Sequence, residues 1–133
     1  MLVDTHCHLN FDWFDSDRAA VLQRAQEAGL TRILNPGIDV HSSRQALALA
    51  QAFPLVYCAV GVHPNDALSW NEATLDELRS LAQQPRVAAI GEIGLDYYRD
   101  RAPAAVQRRV FAAQLDLAAE RSLARVASRS VIW

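Results

Sequence analysis

The sequence predicts an α/β protein built on a parallel sheet. Two observations carry that expectation. Short, nearly all-apolar runs alternate with stretches of helical periodicity, the pattern of βαβ units whose strands are covered on both faces. The residues able to do chemistry also fall just after the apolar runs, at the carboxyl edge where parallel α/β folds keep their sites. Four such units in a chain of 133 residues make either one half of an eight-unit barrel or a small open sheet.

The elements follow in order. "MLVDTHCH" reads as a short buried strand. "DSDRAAVLQRAQEAGL" reads as a helix capped by Asp15 or Ser16, with Val21, Ala25 and Ala28 on one stripe and Gly29 as its stop. "TRILNPG" is a second strand that ends in turn residues, and "DVHSSRQALALAQAF" a helix with Ala46, Ala50 and Phe53 at helical spacing. "LVYCAVGVHP" is a third strand closed by Pro64, and "NEATLDELRSLAQQ" a helix turning Leu75, Leu78 and Leu81 inward. "RVAAIGEIGLD" is the fourth strand, and "APAAVQRRVFAAQLDLAAE" a long helix with Val106, Val110, Ala113 and Leu117 on one face.

His6 and His8 stand one residue apart, so in extended backbone both rings point to one side, with Asp4 behind them and Cys7 turned away. Neutral imidazoles converging in this way suit a divalent transition metal; the plainer alternative is a pair of idle histidines at a strand end. Glu92 lies inside the apolar run "AAIGEIGLD", where a carboxylate must be paired or bound to metal. An arginine partner such as Arg99 is the competing reading. The flanking Gly91 and Gly94 favour a ligand, because glycine permits close backbone approach. His63, pinned by Pro64, is open to several roles: ligand, phosphate contact, acid or base, or a loop histidine packed on Trp70. We expect a site role for it other than metal ligation. Asp96, beside Tyr97 and Tyr98, suits a substrate-side role or simple loop packing. His41, in a first helical turn, is expected to face solvent, and Cys7 and Cys58 to be buried thiols. No glycine-rich phosphate loop follows the first strand, which counts against dinucleotide and P-loop proteins.

Taken together, "DTHCHLNF", "GVHP" and "GEIGLDYYRD" closely resemble the TatD family of metal-dependent deoxyribonucleases, which are amidohydrolase-like (β/α)8 barrels. The resemblance spans residues 1 to about 120 and implies the N-terminal half of a TIM-type barrel. It also implies a hydrolase of DNA phosphodiester bonds that uses two divalent cations, Mg or Mn, with Zn as a further option. Carried onto this chain, His6 and His8 would ligate one metal, Glu92 would bridge both as the catalytic carboxylate, and His63 would lie near the substrate phosphate. Two cations ~3.5–4 Å apart can do this chemistry without a protein nucleophile.

After Glu120 the family pattern stops. Family members run to about twice this length, and their next strand, of the type "PVVIHSRDA", carries another ligand histidine. Laid on that pattern without gaps, Ser128 takes the histidine's place, and the sequence holds no histidine after His63. Arg121, Arg125 and Arg129 recur every four residues, which in a helix would stack like charges. As a strand, "ARVASRSVIW" is too polar for a barrel interior. Residues 1–120 are therefore expected to form a truncated barrel half, and residues 121–133 an atypical tail, read as out of frame. The alternative to an enzyme is an inactive half barrel that only self-associates through open sheet edges.

Composition narrows the remaining classes. With 51% hydrophobic and 21% charged residues the chain reads as globular. A net charge of −2 gives no basic footprint for charge-driven DNA binding. Nothing reads as a signal peptide, and no apolar run reaches the ~18 residues of a membrane span. No membrane partner and a cytoplasmic location are the expectations, with DNA as the substrate if the chain is active.

Overall fold

The computed structural model describes residues 1–127. Five parallel strands lie side by side in chain order: β1 (Leu2–Asp4), β2 (Leu30–Pro36), β3 (Val56–Val60), β4 (Val87–Ile93) and β5 (Ala124–Ala127). Four helices connect them: α1 (Arg18–Glu27), α2 (Val40–Ala52), α3 (Glu72–Leu81) and α4 (Ala104–Glu120). Right-handed crossovers between strands that never change order put every helix on the same side of the sheet. The sheet therefore curls into part of a TIM-type barrel rather than opening into a doubly wound sheet.

The core lies between sheet and helices. Ala46, Ala50, Val56, Cys58, Val60, Leu78, Ile90 and Ala118 are all fully buried there. Phe53, Leu75, Leu81 and Val106 pack around them, and Val110 and Leu117 of the expected α4 stripe are buried, whereas Ala113 stays half-buried outside the core and Gln114 is buried beside it. Two helices start as their sequences predict. Asp39 accepts from Ser42 N in the first turn of α2 and Asn71 from Ala73 N in the first turn of α3, while the Ser42 and Thr74 hydroxyls accept from the Asp39 and Asn71 amides. The first helix departs from expectation. It begins at Arg18, and Asp15 serves as an ion-pair partner of Arg18 at 2.6 Å instead of a cap.

Four further differences have physical reasons. The first strand ends at Asp4 and is not buried: Leu2 and Val3 are 56% and 44% exposed, because β1 is the outer strand of the sheet. The second strand does not end in a turn at Asn35; it runs through Pro36, where Gly37 N still bonds Ala59 O at 2.9 Å. Coverage on both faces holds only on the helix side, since Arg32 and Ala88 are exposed and Tyr57 half-buried on the concave side. Finally, "ARVA" pairs with β4 as a fifth strand although three of its four side chains are exposed. Backbone pairing at the edge of a sheet tolerates polar side chains that an enclosed interior would reject. The expectation about Ser128 lies outside the described residues.

Candidate metal centre

At the carboxyl edge, His6 and His8 lie just past β1, yet Cys7 N still donates to Leu34 O at 3.0 Å. That bond keeps the segment extended, so Cys7 turns toward the core and the two rings share the other side. Asp4 Oδ1 accepts from His6 N at 3.0 Å and fixes the entry to the segment. Phe11 stacks on His8 with ring centroids 4.8 Å apart and 5° between planes, which sets the orientation of that ring.

Glu92 reaches the same point from β4 and is only 7% exposed. Its Oε2 is 3.3 Å from Nε2 of His6 and 3.3 Å from Nε2 of His8, and the two nitrogens are 3.2 Å apart. The three atoms thus form a nearly equilateral triangle. Donors ~2.1 Å from one cation, at octahedral or tetrahedral angles, stand about 3.0–3.4 Å from one another. The donor set therefore fits a divalent cation. Arg99, the competing partner for Glu92, pairs instead with Asp96 at 3.2 Å.

The second carboxylate oxygen of Glu92 has a separate neighbour. Its Oε1 is 3.7 Å from Nε2 of His63. His63 Nδ1 accepts from Asn65 N at 3.1 Å, so in the neutral ring the proton sits on Nε2, toward the carboxylate. Burial lowers the His63 pKa, and the charges of Glu92, Asp66 and Asp96 only partly oppose this. Burial would raise the pKa of Glu92, but the hydrogen bond to His8 and the nearby histidines outweigh it and hold the carboxyl below its ordinary value.

Asp96 is fully buried and accepts from Arg99 N at 3.0 Å as well as from the Arg99 guanidinium. His41 is exposed, as expected. Both cysteines are free; Cys58 is buried, whereas Cys7 is half-buried. The glycines beside Glu92 act differently from the sequence reading. A Cβ on Gly91 would lie 2.6 Å from Val126 Cβ, so the space it leaves admits the neighbouring strand rather than a ligand. Gly94, at φ 146°, turns the chain after β4 in a region that side chains disfavour.

Several polar residues, buried or half-buried, support the site and were not singled out from sequence. Asn35, fully buried, accepts from Asn10 N at 3.0 Å and donates to Asn10 Oδ1 at 2.9 Å, tying the His8 loop to β2. Arg18 donates to Leu9 O at 2.7 Å and to Phe11 O at 3.1 Å in the same loop. Gln107 and Gln114 do comparable work from α4. The available signal was a pair of amides within the apolar periodicity of that helix.

A curled parallel sheet with a His-x-His pair and a buried glutamate converging at its carboxyl edge defines part of a TIM-type barrel that carries a candidate metal centre. A profile of the "TatD related DNase" family matches residues 3–126, and the chain belongs to that family. A "3'-5' ssDNA/RNA exonuclease TatD" from Pectobacterium carotovorum is 43% identical over 124 residues, covering 92% of this chain and 47% of the relative. An "Uncharacterized metal-dependent hydrolase YabD" from Bacillus subtilis is 38% identical over 92% of this chain and 48% of its own length. The crystal structure of YJJV, a TatD homolog from Escherichia coli, superposes with a TM-score of 0.88 at 34% identity, covering 95% of this chain and 49% of that one. The chain thus spans about half the length of the relatives it matches. Among the described residues, no helix is long and apolar enough to cross a membrane.

Proposed function

We propose that this chain carries the N-terminal half of the active site of a metal-dependent phosphodiesterase acting on DNA, in single-stranded form by analogy with its exonuclease relatives. The observation that carries the reading is the triangle of His6, His8 and Glu92 donors, 3.2–3.3 Å on each side. In this reading His6, His8 and Glu92 would hold the metal, and the Glu92 carboxylate, whose Oε1 faces His63 at 3.7 Å, would also serve a second cation. Mg or Mn suits phosphoryl oxygens, and the imidazole pair also suits Zn. When bound, such cations lower the pKa of water and neutralise charge on the phosphoryl group.

The remaining roles belong to the protein. His63, half-buried beside Glu92 and with its pKa lowered by burial, would lie near an oxygen of the substrate phosphate. Asp96, held by Arg99, shapes the substrate side of the same edge. Residues 1–120 form most of the barrel half in this proposal, and of the tail from residue 121, Ala124–Ala127 join its sheet as β5. Among the described residues three donors converge on one point, and the remaining positions of a bound cation would be open to water and substrate.

The test is cleavage of a 3′-labelled single-stranded oligodeoxynucleotide in Mn²⁺ and in chelator. Metal-dependent cleavage abolished by His6→Ala and by Glu92→Ala supports the reading, and cleavage indifferent to both contradicts it. A second reading, a half barrel whose only activity is self-association, draws support from the exposed Leu2 and Val3 on the outer strand β1. Sedimentation of the chain as a concentration-dependent oligomer without metal-dependent cleavage would favour it.

A further inference from the structure

We propose that Gln114 and Gln107 are positioning residues: paired carboxamide clamps on α4 that set the loops carrying His63 and Asp96. Gln114 Oε1 accepts from Val62 N at 2.7 Å, and its Nε2 donates to Val62 O at 3.0 Å. One side chain thereby satisfies both backbone groups of the residue that immediately precedes His63. Gln107 repeats the arrangement on Asp96 itself, accepting from its N at 2.8 Å and donating to its O at 3.2 Å. The remaining donor of each amide is also used, by Val110 O at 3.3 Å and Ala102 O at 2.8 Å respectively.

The two glutamines are 1% and 0% exposed and lie within the apolar periodicity of α4, where leucine would pack without desolvation cost. Amides belong there only if they answer buried backbone groups that no ladder satisfies, and both do. Their seven-residue spacing is two helical turns, about 10.5 Å along the axis. A rigid helix therefore fixes the separation of the two loops. The clamps are also neutral. They hold His63 and Asp96 without placing a further charge beside Glu92, so the loops are oriented while the field at the metal triangle is left to Glu92 and the histidines.

The functional consequence rests on the phosphodiesterase reading, but the clamp itself is tested independently of it. In the wild-type chain, scalar couplings across the Val62 N–H to Gln114 and Asp96 N–H to Gln107 hydrogen bonds are expected in nuclear magnetic resonance spectra; their absence overturns the proposal whether or not any variant folds. In Gln114→Met, amide exchange should accelerate about tenfold at Val62, Asn65 and Asp66 relative to Ile90 in the core. In Gln107→Met, acceleration should fall instead on Asp96 and Arg99. A merely structural role would loosen Ile90 and both loops together in either variant, and that result contradicts the proposal. Mn²⁺ affinity should stay within about twofold in both variants, while binding of a phosphorothioate DNA hexamer weakens. Parallel loss of metal and DNA would overturn the positioning role. Failure of the wild type to bind the hexamer would count against the phosphodiesterase reading alone.

Discussion

His6 and His8 bring their Nε2 atoms to 3.2 Å although the strand that precedes them has ended at Asp4. Two like atoms approach in this way because the segment stays extended, held by the Cys7–Leu34 bond, and because Phe11 stacks on one of the rings. Phe11→Ala should therefore weaken Mn²⁺ binding about tenfold while leaving all three donors present, since groups that orient a ligand commonly contribute 10–100-fold. Isothermal titration calorimetry of the variant against wild type checks this.

The triangle itself was legible in sequence because its members are chemically costly where they stand. A glutamate in an apolar strand and two histidines in alternation announce themselves, and both reached the same point. The supports were not legible. Asn35 reads as a turn residue before Pro36, and its pairing with Cys58, followed by that of Pro36 with Ala59, shows that the strand continues. Gln107 and Gln114 stand within the apolar periodicity of α4, but the backbone groups they answer show only once that helix is set against the loops it bonds. The fifth strand was hidden for a different reason: its pairing is made by backbone atoms, which side-chain polarity does not report.

Close packing of glycines should be unforgiving next to Glu92. A Cβ on Gly61 would stand 2.9 Å from the carbonyl carbon of Gly91, on the backbone of the adjacent strand. Gly61→Ala is expected to destabilise the chain by about 1–3 kcal/mol, the usual range for overpacking. It should also weaken metal binding, because the displaced backbone leads directly into Glu92. Urea unfolding and a metal titration on the same variant measure the two effects.

Arg86 joins strand and helix in an unusual conformation. At φ 79° it donates to Ala50 O at 3.1 Å, Phe53 O at 3.3 Å and Pro54 O at 2.6 Å, capping the carboxyl end of α2. Its guanidinium also lies 4.5 Å from the centre of the Tyr57 ring. Arg86→Ala should cost about 2–3 kcal/mol by losing these charged hydrogen bonds. Arg86→Gly should be about 1 kcal/mol less damaging, because glycine relieves the left-handed backbone. Equal losses in chemical denaturation would contradict this division.

The Cys58 thiol gives a pH dependence with a defined sign. Burial pushes its pKa up to about 12, against a modest lowering by Arg86. The folded state thus keeps its proton while the unfolded thiol, with an ordinary pKa near 9.0, loses it. Stability from this group is fully present below about pH 9 and falls toward pH 12, by roughly 1.4 kcal/mol per pH unit at most. Cys58→Ala should flatten that alkaline decline relative to wild type. The same burial predicts that iodoacetamide modifies the half-buried Cys7 before Cys58, which mass spectrometry after timed quenching resolves.

The most direct measurement of the central claim is a calorimetric Mn²⁺ titration of the chain beside Glu92→Gln, His6→Ala and His8→Ala. A converging metal site predicts saturable binding in the wild type and a loss of at least about tenfold in each variant. Absence of binding, or binding that all three variants retain, would show that the triangle is a histidine–carboxylate contact and not a metal centre.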